Sequence, residues 1–381
     1  MSQQCPICQG TAKHLHSLTF SRTKFLPQTI GIQICTSCDF GYTSPRDNAS
    51  YKAHYAAITN DIYGVDANLT AESKKRYTQQ MELLRSLLSQ PQTTRVLDFG
   101  CGQAGLLRTI LQEFPDKSYF AVDPNISPEQ QADSQIFFSE DWVNLDGTFD
   151  LIILSHVIEH LVSFDDIANL LRRLSPQGQV YIEVPDAASY RQYQRMEYLY
   201  YFDRLHVNHF SYYSLHHLVE QWGLSVIDSG RNDFDYKDGH LYPAIYVLAT
   251  PHIKPHINEG IVNKELMQEL QGYIDDEMIR AQSTRERLKS SPQIVAYGFG
   301  DNFFRSISPG GPLSGLPIAA IVDRRYAELN QSEYAKMYKF MDIDTCCSEF
   351  PDSTFVVSVS WGKSEIETAL HERGIRKIEF I

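Results

Sequence analysis

Two stretches restrict what this chain can fold into more than anything else in it. "RVLDFGCGQAGLLRTILQEF", beginning at Arg95, and "IVAYGFGDNFFRSI", beginning at Ile294, each run from an apolar strand through Gly-x-Gly into a helix. A strand that leaves its sheet by a tight turn and returns along a helix pairs next with a parallel neighbour, so both stretches commit their surroundings to a layered α/β fold. The flanking sequence agrees. "SYFAVD", "FDLIILS" and "GQVYIEVP" read as further strands, "FDDIANLLRRL" as a helix, and "SLHHLVEQWG" with "LSVIDSGR" as a closing helix and strand. After the second stretch, "LPIAAIVDRR", "STFVVSVS" and "EIETALHERGIRKIEFI" repeat the alternation on a smaller scale. The expected fold class is α/β, with a doubly wound Rossmann-like sheet over residues 90–250 and a smaller Rossmann-like unit over 291–381. The 381 residues exceed one ordinary core, so separate units are expected. "NKELMQELQGYIDDEMIRAQSTRERLKS" reads as a long amphipathic helix inside a linker over 251–290.

The amino-terminal part has a different character. Cys5 and Cys8 form one Cys-x-x-Cys and Cys35 and Cys38 another, with 26 residues between the pairs. Each short turn offers two sulfurs to one ion, and four thiolates make a closed tetrahedral site, so a structural Zn²⁺ in a zinc ribbon over 1–45 is expected. His14 and His16 are the alternative ligands, and a disulfide pair is the alternative to a metal. Cys101, Cys346 and Cys347 read as packing residues. Residues 46–89 read as a helical lid or linker.

The first glycine turn carries the functional argument. Asp98 ends the strand just ahead of Gly100 and Gly102, glycines that let the backbone curve closely around a ligand before the helix begins. A dinucleotide site requires a third glycine, and with Ala104 read at that position the pattern points elsewhere. A carboxylate beside the turn suits a cofactor bearing a cationic amino acid, which is S-adenosylmethionine. Asp123, 25 residues after Asp98, is placed to accept both ribose hydroxyls. "FFSEDWVNL" offers Glu140 or Asp141 to the adenine amine, with Trp142 as a wall of its pocket. Ser155 and His156 end the next strand at the ligand-binding edge. Glu159 and His160 read as the solvated start of a helix. Tyr51, Tyr55 and Tyr63 are candidates to stack on the sulfonium or to pack a lid.

At "HVIEH", residues 90–250 resemble a class I S-adenosylmethionine-dependent methyltransferase, whose members often carry "HVLEH". The whole layout, from Cys₄ ribbon to a last unit opening with "VAYGFG", is similar to bacterial sugar C-methyltransferases acting on nucleotide-linked ketodeoxyhexoses. That family carries Tyr-His-Glu-His, then an aliphatic residue, serine and tyrosine, as its catalytic stretch. Here "HVNHFSY" stands in that place, and the resemblance implies that His209 is the base, with Ser211 and Tyr212 continuing the match. His206, Val207 and Asn208 depart from the family's tyrosine, histidine and glutamate. An amide orients a ring but brings no charge, so His206 is expected as a second proton carrier and Asn208 as an orienting group. In the last unit, Phe303 replaces the third glycine, Asp323 ends the next strand, and Asn302 and Arg305 are expected to meet phosphates of a nucleotide-sugar, unless the unit only buttresses the cleft.

The formal charge of −13 opposes a polyanionic partner, and no basic patch relieves it. No segment reads as a leader or a membrane span. The expectation is a cytoplasmic methyltransferase for a small molecule, a nucleotide-linked sugar, with no nucleic-acid or membrane partner. The alternatives are a zinc-ribbon ribosomal RNA methyltransferase, and a scaffold that binds the cofactor without turnover.

Overall fold

The computed structural model describes residues 4–57, 70–236, 240–251 and 264–381. β1 (Ala12–Thr19), β2 (Thr29–Cys35) and β3 (Gly41–Ser44) form an antiparallel meander at the amino terminus. Helices α1 (Asn48–Ala57) and α2 (Ala71–Leu88) follow. Thr70 caps α2 by accepting from the Ser73 N–H, and its buried stripe of Tyr77, Met81, Leu84 and Leu88 packs on the next sheet.

That sheet contains β4 (Arg95–Phe99), β5 (Ser118–Val122), β6 (Ile136–Ser139), β7 (Phe149–Ser155) and β8 (Leu174–Pro185) in parallel. Helix α3 (Gly105–Glu113) connects β4 to β5, and α4 (Asp165–Leu171) precedes β8. Beyond β8 the chain forms β9 (Asn208–His209), α5 (Tyr212–Gln221), β10 (Ser225–Arg231), the hairpin β11 (Phe234–Tyr236) and β12 (His240–Tyr242), and β13 (Ala244–Thr250). The sheet order is β10-β13-β8-β7-β4-β5-β6, with β13 antiparallel to both neighbours. Its interior strands are apolar on both faces, as a sheet covered by helices on each side requires.

Helix α6 (Leu266–Lys289) leads to the last unit. Here β14 (Ile294–Tyr297), β15 (Ile318–Val322), β16 (Phe340–Met341), β17 (Thr354–Val357) and β18 (Ile378–Phe380) form a parallel sheet ordered β16-β15-β14-β17-β18. Helix α7 (Asp301–Ile307) follows its glycine turn. Both glycine stretches therefore sit at the centre of parallel sheets, where their strand-to-helix turns require them.

The parts are not beads on a string. The "HVNHF" stretch, marked by the resemblance as catalytic, supplies β9 as the fourth strand of the amino-terminal sheet, in the order β1-β2-β3-β9. Gly41 pairs with His209 and Tyr42 with Asn208, closing the cysteine-bearing meander with a segment from beyond β8. A Cβ on Gly41 would lie 3.0 Å from the Cβ of His209, so the missing side chain admits the fourth strand. One hydrophobic cluster then spans Cys5, Cys38, Phe40 and Tyr42, Phe210 just after β9, and Ile152 and Val180 of the central sheet. Among the described residues no helix is long and apolar enough to cross a membrane.

Candidate active site

The site lies at the carboxyl ends of β4, β5 and β7, where ligands of such sheets bind. Gly100 and Gly102 both have left-handed φ, +75° and +51°, and a Cβ on Gly100 would fall 2.6 Å from Val157. The Gly102 N–H donates to Asp123 Oδ2 at 2.9 Å, and the Asn125 N–H donates to Asp123 Oδ1 at 2.9 Å. The carboxylate at the end of β5 thus holds the mouth of the turn, and burial raises its pKa against those two hydrogen bonds. Asp98 is only 4% exposed. Burial, and secondly the neighbouring Asp123, push its carboxyl up to about 8, against the pull of Arg76.

One reading of the turn changes. The third glycine position is occupied by Gly105, three residues after Gly102, and not by Ala104. A Cβ on Gly105 would lie 2.2 Å from the Tyr77 ring, so α2 packs directly on the start of α3. The glycine pattern therefore does not separate a dinucleotide site from another. The sheet does, because an antiparallel β13 between β8 and β10 departs from the dinucleotide-binding order.

At the outer edge, Glu140 is exposed, and Asp141 caps a short turn by accepting from the Val143 N–H at 3.1 Å. Trp142 packs against the core, with the Arg173 guanidinium 5.4 Å from its ring centroid. Arg173 immediately precedes β8, so the indole serves packing toward the opposite, amino-terminal edge of the strands and forms no adenine wall.

His156, at φ +54°, follows β7 directly. Its Nδ1 lies 3.1 Å from Glu159 Oε1 and its Nε2 3.1 Å from Glu183 Oε1, and both carboxylates are 0% exposed. Burial lowers its pKa, but the two hydrogen bonds and the two charges outweigh that and hold it above the ordinary histidine value. Both ring nitrogens are committed, leaving His156 none for a cofactor. Ser155 Oγ accepts from Gln80 Nε2 at 2.8 Å and keeps its own O–H to donate. Glu183 also accepts from Gln80, Tyr181 and Asn232, so this charge within an apolar strand is saturated with donors. Sequence reasoning passed over Glu183; its signal was the lone acid inside "VYIEVP".

Glu159 and His160 do not form a solvated helix start. They lie on a single 3₁₀ turn, Ile158–His160, with Glu159 fully buried. His160 Nδ1 faces the Leu205 carbonyl at 3.1 Å. A carbonyl only accepts, so Nδ1 carries the proton and Nε2 of the neutral ring the lone pair. Burial holds His160 below its ordinary pKa even with Glu159 beside it. The His206 ring stands 4.7 Å from the His160 ring, and donor atoms of Glu159, His160 and His206 lie within 4.8 Å of one another. Asp203 Oδ1 fixes the loop carrying His206 by accepting the Leu205 and His206 N–H groups at 2.6 and 2.7 Å. The Asn125 amide donates to the Tyr55 carbonyl at 2.8 Å, and the Tyr55 ring lies 6.2 Å from that of His160, which links this cluster to the Asp123 loop.

The other two residues of the expected catalytic stretch are structural. His209 is 0% exposed, framed by the Phe202 and Tyr190 rings at 5.0 and 6.0 Å, and burial, with His206 second, depresses its pKa to about 3. Its Nδ1 lies 3.4 Å from the Tyr190 hydroxyl, and the ring is shut away from solvent on the edge strand β9, so it is not the base. Asn208 Nδ2 donates to the Ile158 carbonyl at 2.6 Å and the Leu161 carbonyl at 2.7 Å, stapling the turn that carries Glu159 and His160 to β9. Arg46, missed from sequence, adds to this clamp, donating to Val207, Leu161 and Val162 carbonyls at 2.9, 3.1 and 2.8 Å. Tyr51 is buried, its hydroxyl donating to the Arg204 carbonyl at 2.8 Å, and Tyr63 lies outside the described residues.

Residues 71–229 match a family model described as a methyltransferase domain. The chain carries a class I S-adenosylmethionine-dependent methyltransferase domain. The match begins at α2, so that helix belongs to the methyltransferase domain. The described residues are similar to the Burkholderia thailandensis 1,6-didemethyltoxoflavin-N1-methyltransferase bound to its substrate and S-adenosylhomocysteine, at 20% identity over 58% of this chain and 96% of that one, with TM-score 0.40. A plantazolicin methyltransferase is similar at 14% identity over 54% and 100%, with TM-score 0.39. Coclaurine N-methyltransferase is similar at 13% identity over 54% and 82%, with TM-score 0.37. None of the curated proteins compared with the chain matches it.

Outside the methyltransferase domain, the four thiols at the amino terminus converge. Cys5 and Cys38 Sγ are 3.5 Å apart, Cys8 and Cys35 Sγ 3.4 Å apart, and all four sulfurs lie within 4.8 Å of one another. These separations are far too long for disulfides and close to the edges of a tetrahedron around one ion. The Ile7, Ser37 and Cys38 N–H groups point at Cys5 and Cys35 Sγ from 3.4 Å. His14 is held by Gln33 and Ser17, and neither it nor His16 joins the sulfur cluster. Cys346 and Cys347 are buried in the last unit, and Cys101 packs against the first glycine turn's core.

In the last unit the residues expected to meet phosphates are occupied. Arg305 is 4% exposed and donates to Tyr200 and Phe202 carbonyls at 2.9 and 3.3 Å and to Asn302 Oδ1, while Asn302 Nδ2 donates to Ser360 at 2.7 Å. Asp301 receives Arg204 at 2.8 Å. This glycine turn docks the unit onto the methyltransferase domain, and Asp323 secures it by accepting from the Phe299 N–H at 2.9 Å and from Arg325.

Proposed function

We propose that this protein transfers a methyl group from S-adenosylmethionine to carbon or oxygen of a small molecule, a nucleotide-linked deoxysugar, and carries one structural zinc ion. The observation that carries the cofactor placement is the pair of buried carboxyls at the glycine turn. Asp98, raised to about 8, is a carboxyl short of a cation, and the ammonium of the cofactor's amino-acid part supplies one. Asp123 keeps lone pairs beyond its two backbone hydrogen bonds and takes the ribose hydroxyls. Glu140 or Asp141, both exposed just beyond β6, serves the adenine amine, Asp141 keeping its Oδ2 beyond the Val143 cap. When bound, the cofactor supplies a methyl group activated by a sulfonium. The protein's task is then to hold an acceptor atom in line and about 3 Å away. The acceptor is placed beside Glu159, His160 and His206, the polar cluster linked through Asn125 and Tyr55 to the Asp123 loop.

The sugar reading is supported by the order of parts along the chain, a Cys₄ sheet, a methyltransferase sheet, a long helix and a Rossmann-like unit, which is similar to that of the nucleotide-sugar C-methyltransferases. It stands without a base at His209. The zinc reading is supported by the convergence of four sulfurs and by the backbone N–H groups aimed at them.

Mass spectrometry of reactions containing the full chain, S-adenosylmethionine and a panel of nucleotide-sugars, keto forms included, tests the function. A gain of about 14 daltons on one sugar, lost in Asp98→Ala, is the expected result. Methylation of other small molecules but of no sugar would overturn the acceptor class and leave the cofactor assignment standing.

A further inference from the structure

Three side chains in the acceptor region, Glu159, His160 and His206, bring donor atoms within 4.8 Å of one another. Glu159 is 0% exposed, and its Oε2 has no hydrogen-bond partner, although Oε1 is held by His156 at 3.1 Å. A buried carboxylate oxygen left unpaired is unfavourable, and most so when charged. His206 Nδ1 is also buried and without a partner. His160 completes the set with a ring whose Nδ1–H is spent on the Leu205 carbonyl, which leaves the Nε2 lone pair for a ligand. A ring nitrogen tied to a backbone carbonyl while the other is free, and a carboxylate steadied through its second oxygen, are the outer supports that metal ligands require.

We propose that Glu159, His160 and His206 bind one divalent transition-metal ion. Two imidazoles and one carboxylate suit ions of the Zn²⁺, Mn²⁺ and Fe²⁺ class, and three protein ligands leave positions open. Those positions take oxygen atoms of the acceptor, favouring one with two adjacent oxygens, such as a hydroxyketone or a diol; this second part rests on the function proposed above, whereas the metal site does not. The site is distinct from the four thiolates, which lie in the amino-terminal sheet and are closed to further ligands.

The test uses the full chain with its thiolate site filled with zinc, and Mn²⁺ and Co²⁺ as probes. Mn²⁺ binding is read from loss of the free-ion paramagnetic resonance signal. Co²⁺ binding is read from d–d bands lacking the intense thiolate-to-metal absorption. One equivalent bound beyond the thiolate site is expected in the wild type, weakened at least about tenfold in His206→Ala and in His160→Ala. Far-UV circular dichroism and the melting temperature of each variant show whether it is folded. His206 is only partly buried, so its variant keeps the test available if His160→Ala unfolds. Equal binding by wild type and folded variants would overturn the proposal, as would no binding of either ion by a wild type that still binds S-adenosylhomocysteine. Metal binding without S-adenosylhomocysteine binding would instead sustain the metal site and refute the function proposed above.

Discussion

Asp98 gives the most demanding test of the cofactor site. In the free protein its carboxyl sits at about 8, so it is protonated through most of the neutral range. S-adenosylhomocysteine brings an ammonium that stays charged across that range, and pairing with it requires the Asp98 anion. Binding must therefore expel the Asp98 proton below pH 8, and affinity must fall as pH falls. With a free-protein pKa of about 8, roughly three-quarters of Asp98 is ionised at pH 8.5 and roughly 3% at pH 6.5. The ratio is about 25-fold in Kd, or about 2 kcal/mol. Titration calorimetry at pH 6.5, 7.5 and 8.5, repeated in buffers of different ionisation enthalpy, reads both the affinity and the proton release. The expected release is close to one proton per ligand at the lowest pH and about a quarter of one at the highest. Asp98→Asn should bind more weakly at pH 8.5 and lose the slope. A flat affinity between pH 6.5 and 8.5, or an unchanged slope in Asp98→Asn, would refute the assignment of Asp98 to the ammonium.

Three further outcomes follow from the same structure. Glu183→Gln places an amide N–H among donors from His156, Gln80, Tyr181 and Asn232, and denaturant titration should show a loss of about 3–5 kcal/mol; a loss under about 1 kcal/mol would mean the network is not formed. His209, depressed to about 3 against an unfolded value of 6.5, is neutral when folded, so the wild type loses stability as pH falls below 6.5 while His209→Phe is spared that loss. From pH 7 to pH 5 the difference between variant and wild type should shift by about 2 kcal/mol in the variant's favour, and a pH-independent difference would contradict a buried neutral His209. Cys5→Ser should lower zinc by one ion per chain in elemental analysis, and it should also lower the melting temperature of the methyltransferase domain, because β9 joins the two; release of zinc with no change in that domain would show that the sheets are independent.

The fold was legible where local pattern and global position agree. Two glycine turns between apolar strands and helices placed both parallel sheets, because that connection has few alternatives. The paired Cys-x-x-Cys knuckles placed the sulfur cluster for the same reason, since each turn fixes its own geometry. What escaped was long-range pairing. Nothing local in "HVNHF" says that it adds a strand to a sheet more than 160 residues earlier, because a two-residue strand takes its stability from its partner. Glu159 and His160 were misjudged for a related reason. Charge near a strand end reads as solvated until a segment from elsewhere covers it, and here residues 203–209 form part of that cover.

The same geometry explains why asparagine stands at 208 where the resembled family carries glutamate. Its Nδ2 donates to two backbone carbonyls, Ile158 and Leu161, at a position 1% exposed. A carboxylate has no proton to donate there and would set a buried charge against two carbonyl dipoles. The amide is thus required by the turn it holds, and that turn displays Glu159 and His160. Within the stretch that the resemblance marks as catalytic, Asn208 is thus a positioning residue. Asn208 and Arg46 fix the 3₁₀ turn from one side, Asp203 fixes His206 from the other, and the two supports bring together Glu159 Oε2 and His206 Nδ1, both buried without a partner. A chemistry moved from His209 to the Glu159, His160 and His206 cluster would preserve the scaffold while changing which atoms meet the acceptor.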